Sequence, residues 1–164
     1  LLRTYRIGTY LGAVRVVKYQ QEFLQQVEGE VSELLKRDWE EVQHNSDTEE
    51  LDTDWDFYRL LEERKALLIF TCRDEGKLVG YFSVFISPNL HSKGKVLLSN
   101  DTIFLDKPYR KGFVGIKLIK FAEECLRQDG YDNLQITTTE LNPIDSLMLR
   151  LGYTKISTSF RKDL

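Results

Sequence analysis

Between residues 20 and 42 the apolar side chains Phe23, Val27, Val31, Leu34, Leu35, Trp39 and Val42 fall mostly three or four positions apart. That spacing marks one face of an amphipathic helix. Gly29 inside the run weakens it by about 1 kcal/mol relative to Ala, which the periodicity outweighs. A polar, acidic stretch at 44–54 follows. Thr53 or Asp54 is placed to cap a second helix that turns Trp55, Tyr58 and Leu61 inward and ends near Lys65. The period then changes. Residues 66–73 read as a strand, Asp74-Glu75-Gly76-Lys77 as a hairpin turn, and 78–87 as the partner strand. After a loop at 88–94, a further strand over 95–105 is stopped by Asp106, Lys107 and Pro108, since proline cannot donate to a ladder. Residues 114–127 read as a helix burying Leu118, Ile119, Ala122, Cys125 and Leu126, with Gly130 placed to end it. A strand over 133–139, a short helix over 143–151 and a final strand over 153–160 complete the chain. Hairpin strands followed by a strand–helix–strand crossover predict an α/β (α+β) fold, a mixed sheet with helices on its faces.

Composition narrows the class. A chain of 164 residues forms one domain able to bury a core without disulfide or metal staples. A net charge of -3 provides no broad basic field, so general nucleic-acid binding is disfavoured while a cationic partner is not. Cys72 and Cys125 lie far apart with no CxxC spacing, which suggests a reducing, cytoplasmic compartment; two small core residues is the plainer reading of them. The longest apolar run, 66–72, is strand-sized, so no membrane span is expected. Residues 1–17 mix Leu, Ile and Tyr with Arg3, Arg6 and Arg15, which break any signal-peptide core. They are read as an N-terminal extension, with the domain at 18–164. His44 and His91 have no partners at ligand spacing, so no metal is expected. The acidic run Asp47, Glu49, Glu50, Asp52, Asp54 and Asp56 reads either as a solvated face or as an attractant for a cation.

The segment from Asn100 to Leu118 is the richest in chemistry. A strand runs into a turn containing Arg110, Lys111 and Gly112, then into a helix over Val114, Gly115 and Ile116. Backbone N–H groups of such a turn and of a helix N-terminus favour an anion. A purely structural turn explains the segment equally well.

This segment resembles the acyl-CoA pyrophosphate loop of the GNAT acetyltransferases, whose pattern is Gln or Arg, two residues, Gly, one residue, Gly or Ala. Arg110 matches the first position and Gly115 the last; Phe113 stands where the first glycine is expected, and Gly112 lies one residue early. Downstream, the run from Asn142 to Tyr153 is similar to the family's last helix, which starts with Asn and closes with Gly-Phe or Gly-Tyr. The resemblance spans about 18–160, and features such as Trp39 and the Leu90-His91 pair are similar to phage and prophage members.

The resemblance implies a GNAT-like, mostly antiparallel sheet whose central strands splay apart. It implies acetyl-CoA as donor, a primary amine as acceptor, and often a homodimer. Pantetheine would pair with the edge formed by Ile103, Phe104 and Leu105, and a strand N–H near Leu105 would face the developing oxyanion. Arg110, Lys111, Gly112, Phe113, Val114, Gly115, Ile116 and Asn142 complete the implied cofactor-binding set. Asp101, nine residues before Arg110, is the candidate base. The family's tyrosine acid is replaced by Met148, leaving Tyr153 or Tyr109 as substitutes. Two other readings stay open: a GNAT-like fold that binds without catalysing, and a loop for another anion such as a nucleotide phosphate. The chain lacks GxxxxGK[ST] and an early GxGxxG unit, which ranks the last reading lowest.

Overall fold

The computed structural model describes residues 4–5, 16–42, 50–140, 143–160 and 162. A meander of antiparallel strands runs in sequence order: β1 (Thr4–Tyr5), β2 (Val17–Glu22), β3 (Leu67–Asp74), β4 (Lys77–Pro88) and β5 (Val96–Leu105). Helices α1 (Leu24–Val42) and α2 (Trp55–Glu63) cover one face. Helices α3 (Val114–Gln128) and α4 (Asp145–Arg150) cover the other. The layering is that of the expected mixed α/β class. Its one parallel component among the described residues is a bridge between Ser99 and Gln135. No helix among the described residues is long and apolar enough to cross a membrane.

β4 is the centre of the core, with every residue from Leu78 to Val84 buried. Its side chains serve both layers, with an irregularity at Val79, opposite Cys72 and Arg73, that breaks strict alternation. Val79, Phe82 and Val84 join Phe70, Leu98, Leu118, Ile119 and Ala122 under α3, where Phe70 meets Phe121 edge-on at 6.2 Å. Leu78 and Tyr81 join Leu24, Val27, Val31, Leu34, Leu67, Ile69 and Phe104 under α1. Cys72 and Cys125 are both buried free thiols, and burial pushes the Cys72 thiol up to about 12.

Three elements differ from expectation. The helix expected from residue 20 begins at Leu24, and 17–22 is a strand paired along its length with β3. That strand reads as polar because it inserts only Val17 and Tyr19 into the core, while an ion-paired network holds its other end. Arg73 bonds Glu22 at 2.9 Å and Glu30 at 2.7 Å, tying β2, β3 and α1 together. Phe23, expected on the helix's inner face, precedes the helix and is exposed. Residues 133–139, expected as a strand, make a single bridge. Residues 153–160, also expected as a strand, form none; all after Tyr153 are exposed, so their alternating pattern has no ladder to join. Thr4 and Tyr5, within the expected extension, pair with Gln20 and Tyr19.

Gly80 sets how closely β4 can approach its neighbours. A Cβ there would lie 2.8 Å from the Phe104 carbonyl oxygen and 2.9 Å from Cys72 Sγ. The carbonyl cannot yield without moving β5. Gly80→Ala is therefore expected to destabilise the fold by about 1–3 kcal/mol through overpacking, read as a lower urea midpoint at unchanged slope.

Candidate active site

A β-bulge divides β5 into a paired half and an open half. Phe82 faces Ile103 and Val84 faces Asn100, so Ser83 alone opposes both Asp101 and Thr102. The buried Ser83 hydroxyl stabilises the irregularity. It accepts the Thr102 N–H at 3.1 Å and donates to Asp101 Oδ2 at 3.1 Å. Before the bulge the outer edge of β5 is occupied: Gln135 N–H donates to the Leu98 carbonyl, and Asn100 N–H to that of Gln135. The Asn100 side chain then receives the Thr137 N–H at 2.6 Å and donates to the Thr137 carbonyl at 3.2 Å.

Beyond Asn100 that pairing stops among the described residues. The Asp106 N–H bonds the Val79 carbonyl on β4, so antiparallel alternation turns the backbone of Phe104 towards β4. The N–H and C=O groups of Ile103 and Leu105 consequently face away from it.

The edge leads directly into the loop. Lys107–Tyr109 form one 3-10 turn, and Gly112 adopts φ +103, a left-handed conformation that favours glycine. The first backbone bond within α3 is Lys117 N–H to the Phe113 carbonyl, and no side chain caps the helix. The N–H groups of Val114, Gly115 and Ile116 thus lack intrahelical partners, which gives the end a partial positive charge. Phe113 is 70% exposed, so its ring does not fill the loop. Gly115 abuts the strand edge, since a Cβ there would contact Leu105 Cδ2 at 3.5 Å.

Arg110 turns its side chain inward. Its Nε donates to the Leu105 carbonyl at 2.7 Å, its Nη1 pairs with Glu41 at 2.7 Å, and the guanidinium lies over the Phe104 ring. Arg37 binds Asp106 at 2.7 Å, and the two contacts latch the end of α1 to the loop. Lys111 is exposed.

Asp101 lies on the α1/α2 side of the sheet, where its Oδ2 receives the Tyr58 hydroxyl at 2.8 Å. Burial, then the Asp101 charge, hold the Tyr58 phenol well above its ordinary range, so it is a donor at neutral pH. A cavity of about 10 Å³, room for a single water, is lined in part by Tyr58, Tyr81, Ser83 and Asp101. The Tyr81 hydroxyl near it is buried beside Thr102 yet makes no hydrogen bond of proper geometry.

Asp38 adds a second carboxylate. It continues the buried α1 stripe of Leu24, Val27, Val31 and Leu34 at helical spacing. Half-buried, it forms no hydrogen bond or ion pair with any described residue. Burial, with Glu41 and Asp101 adding to it and Arg110 opposing, pushes its carboxyl up to about 6.

The structure therefore gathers Asp101, Ile103, Phe104, Leu105 and 110–116 along one strand and loop. It does not bring Tyr153 to Asp101. Tyr153 packs with the opposite layer, and its hydroxyl donates to Glu123 on α3 at 2.6 Å. Tyr109 donates to Asp74 at 2.7 Å, and Met148 is buried. Asn142, His44, Asp47 and Glu49 lie outside the described residues, and His91 is exposed. Sequence reasoning missed Asp38, Ser83 and Tyr81, and treated Tyr58 as packing. An Asp on the register of a buried stripe was the one available signal.

With this geometry in view, the comparisons identify the class. A model of the acetyltransferase (GNAT) family matches residues 29–153, and the chain belongs to that family. The match supports the family as a whole and gives no support to a phage-type subgroup. No curated protein sequence matches significantly. An aminoglycoside acetyltransferase from an uncultured soil metagenomic sample, in complex with sisomicin, superimposes with a TM-score of 0.70 at 15% identity, covering 90% of this chain and 96% of the other. A predicted acetyltransferase from Clostridium acetobutylicum, solved with acetyl-CoA, gives 0.66 at 8% identity with coverage of 90% and 96%. The ribosomal-protein-alanine N-acetyltransferase of Brucella melitensis biovar Abortus 2308 gives 0.67 at 17% identity, covering 90% and 99%.

The elevated Asp38 carboxyl has a consequence for stability. The folded state holds this proton more tightly than the unfolded chain, so the group's contribution is fully present below about pH 4 and is lost as pH rises through about 6. Asp38→Asn is expected to melt above the wild type at pH 7.5, with the gap closing below about pH 5. Paired thermal melts across pH 4–8 test this; a gap independent of pH would show that Asp38 is not buried as a charge.

Proposed function

We propose that this chain transfers the acetyl group of acetyl-CoA to a primary amine by direct attack on the thioester. The observation that carries the reading is the continuity of an open β5 edge, at Ile103 and Leu105, with the uncapped amides of Val114, Gly115 and Ile116. An extended amide-containing arm suits the edge, and a pyrophosphate suits the amides. The exposed Phe113 and Lys111 leave that approach clear.

Acetyl-CoA, when bound, supplies an activated acyl group on a thiolate that can depart near neutral pH. The Leu105 N–H is positioned to donate to negative charge developing on a carbonyl oxygen at the edge. Asp101 serves as base for the amine, with Tyr58 and Ser83 fixing its Oδ2 and leaving Oδ1 for the proton. Tyr153 is held by Glu123, and Met148 cannot donate, so the thiolate departs without a dedicated protein acid. Those two residues also favour a second reading, a GNAT domain that binds CoA without turnover.

Calorimetric titration with acetyl-CoA, free CoA and ATP tests the assignment. Saturable binding of both CoA species but not ATP is expected. Gly115→Asp should weaken acetyl-CoA by about tenfold or more through charge at the helix terminus, while its Cβ meets only Leu105 at ordinary contact distance and leaves the fold intact. Unchanged affinity in that variant would remove the loop from the site. CoA binding with no acetylation across a broad amine panel would establish the second reading.

A further inference from the structure

Beyond the bulge, the N–H and C=O of Ile103 and of Leu105 point away from β4. One of these groups is already taken. Arg110 Nε donates to the Leu105 carbonyl at 2.7 Å, a short bond from a charged donor. The same peptide unit is held on its other side, where the Asp106 N–H bonds the Val79 carbonyl at 2.8 Å. Leu105 therefore offers a ligand a donor, while its acceptor is occupied.

The guanidinium is anchored in that place. Its Nη1 pairs with Glu41 of α1 at 2.7 Å, and its centre lies 5.4 Å from the centroid of the Phe104 ring. The two side chains of the ion pair are 32% and 21% exposed, deep enough to be screened less than a pair on the open surface. The turn that carries Arg110 is itself pinned, since the Tyr109 hydroxyl donates to Asp74 at 2.7 Å. A ligand N–H reaching for the Leu105 carbonyl would meet a fixed, positively charged donor.

An extended ligand on this edge pairs as an added strand would, exchanging N–H and C=O groups with alternate residues. A uniform edge fixes the register of such pairing weakly, because its groups repeat every second residue. Here the repeat is interrupted at both ends. Upstream, Asn100 is bonded to Gln135 and Thr137. Downstream, the Leu105 carbonyl is filled. What these two residues leave open is a donor, an acceptor and a donor: the Ile103 N–H, the Ile103 C=O and the Leu105 N–H. We propose that Arg110, anchored by Glu41, is a positioning residue that sets the register of the acyl-carrying arm on β5. It closes the Leu105 carbonyl to the arm, whose amide N–H is thereby directed to the Ile103 carbonyl. The task of Arg110 is then on the strand and not on the phosphates, and the Leu105 N–H stays free for an acceptor oxygen. The proposal rests on the acyl-CoA reading of the edge and adds the register in which the arm pairs.

The bonding atom supplies the test. Glutamine carries Nε2 as far along its side chain as arginine carries Nε. Arg110→Gln thus keeps a donor for the Leu105 carbonyl while removing the charge, and Arg110→Leu removes both. Backbone carbonyl shifts are read by triple-resonance NMR as free CoA is titrated into isotope-labelled protein. In the wild type the Ile103 carbonyl is expected to shift and the Leu105 carbonyl to hold its position, and Arg110→Gln should give the same pattern. In Arg110→Leu the Leu105 carbonyl should respond as well. With acetyl-CoA, Arg110→Leu should lower kcat and KM together by about fivefold, the effect of one misplaced hydrogen bond, because an arm in the wrong register binds without reacting. Arg110→Gln should recover most of that loss. A Leu105 carbonyl that moves in the wild type as it does in Arg110→Leu would overturn the register stop, as would a KM raised equally in both variants. The expected shifts without acetylation of any amine would keep the register stop and overturn the transfer reading. No CoA-induced shift at all would overturn both.

Discussion

Ser83 accepts the amide proton of Thr102 and donates its own to Asp101, and the architecture of the site depends on that exchange. The bulge introduces one residue too many into β5, and an unmatched backbone N–H deep in a sheet would cost about 1–3 kcal/mol if left bare. Satisfied by Ser83, the extra residue reverses the facing of the β5 backbone between Asn100 and Ile103. Upstream, the outward groups are taken by Gln135 and Thr137. Downstream, they are presented at Ile103 and Leu105. The same bulge turns Asp101 towards α1 and α2, so the open edge and the acidic side of the site share one origin.

The charged residues divide into structural and available ones by their partners. Glu22, Glu30 and Arg73 knit β2, β3 and α1, and the Arg73 side chain is only 13% exposed, which makes this more than a surface pair. Glu41 and Asp106 are each taken by an arginine and fix the end of α1 over the loop. Asp101 has hydroxyl partners and Asp38 has none among the described residues. Charge alone does not distinguish these carboxylates; what surrounds each one does.

The hairpin β3–β4, the strand β5, the helix α3 and its stop at Gly130 were legible because local signals and tertiary packing agree there. Tyr131 N–H bonds the Leu126 carbonyl and Gly130 N–H that of Arg127, closing the helix where the glycine implied. β2 was not legible, since only Val17 and Tyr19 reach the core and its far end is held by the ion pair of Glu22 with Arg73. The strands expected at 133–139 and 153–160 had the right alternation, but alternation cannot supply a partner edge. Asp101 and the loop were singled out from motif spacing, and the structure places them along one strand and the turn that follows it. Ser83, Tyr58 and Tyr81 make contacts separated by many positions in sequence, as does Tyr153, whose hydroxyl is bound to Glu123 on α3.

The contact between Arg110 and the Leu105 carbonyl bears on how the protein behaves among copies of itself. An exposed strand edge with free backbone groups is a template on which another chain can add a strand and begin to aggregate. Here one outward carbonyl is already occupied by a guanidinium anchored to Glu41, and the usable stretch is cut short by the bulge on one side and the Lys107–Tyr109 turn on the other. A bound charge on a short edge is a standard defence against mispairing. The open stretch is thereby kept too brief, and too well guarded, to recruit a neighbouring sheet.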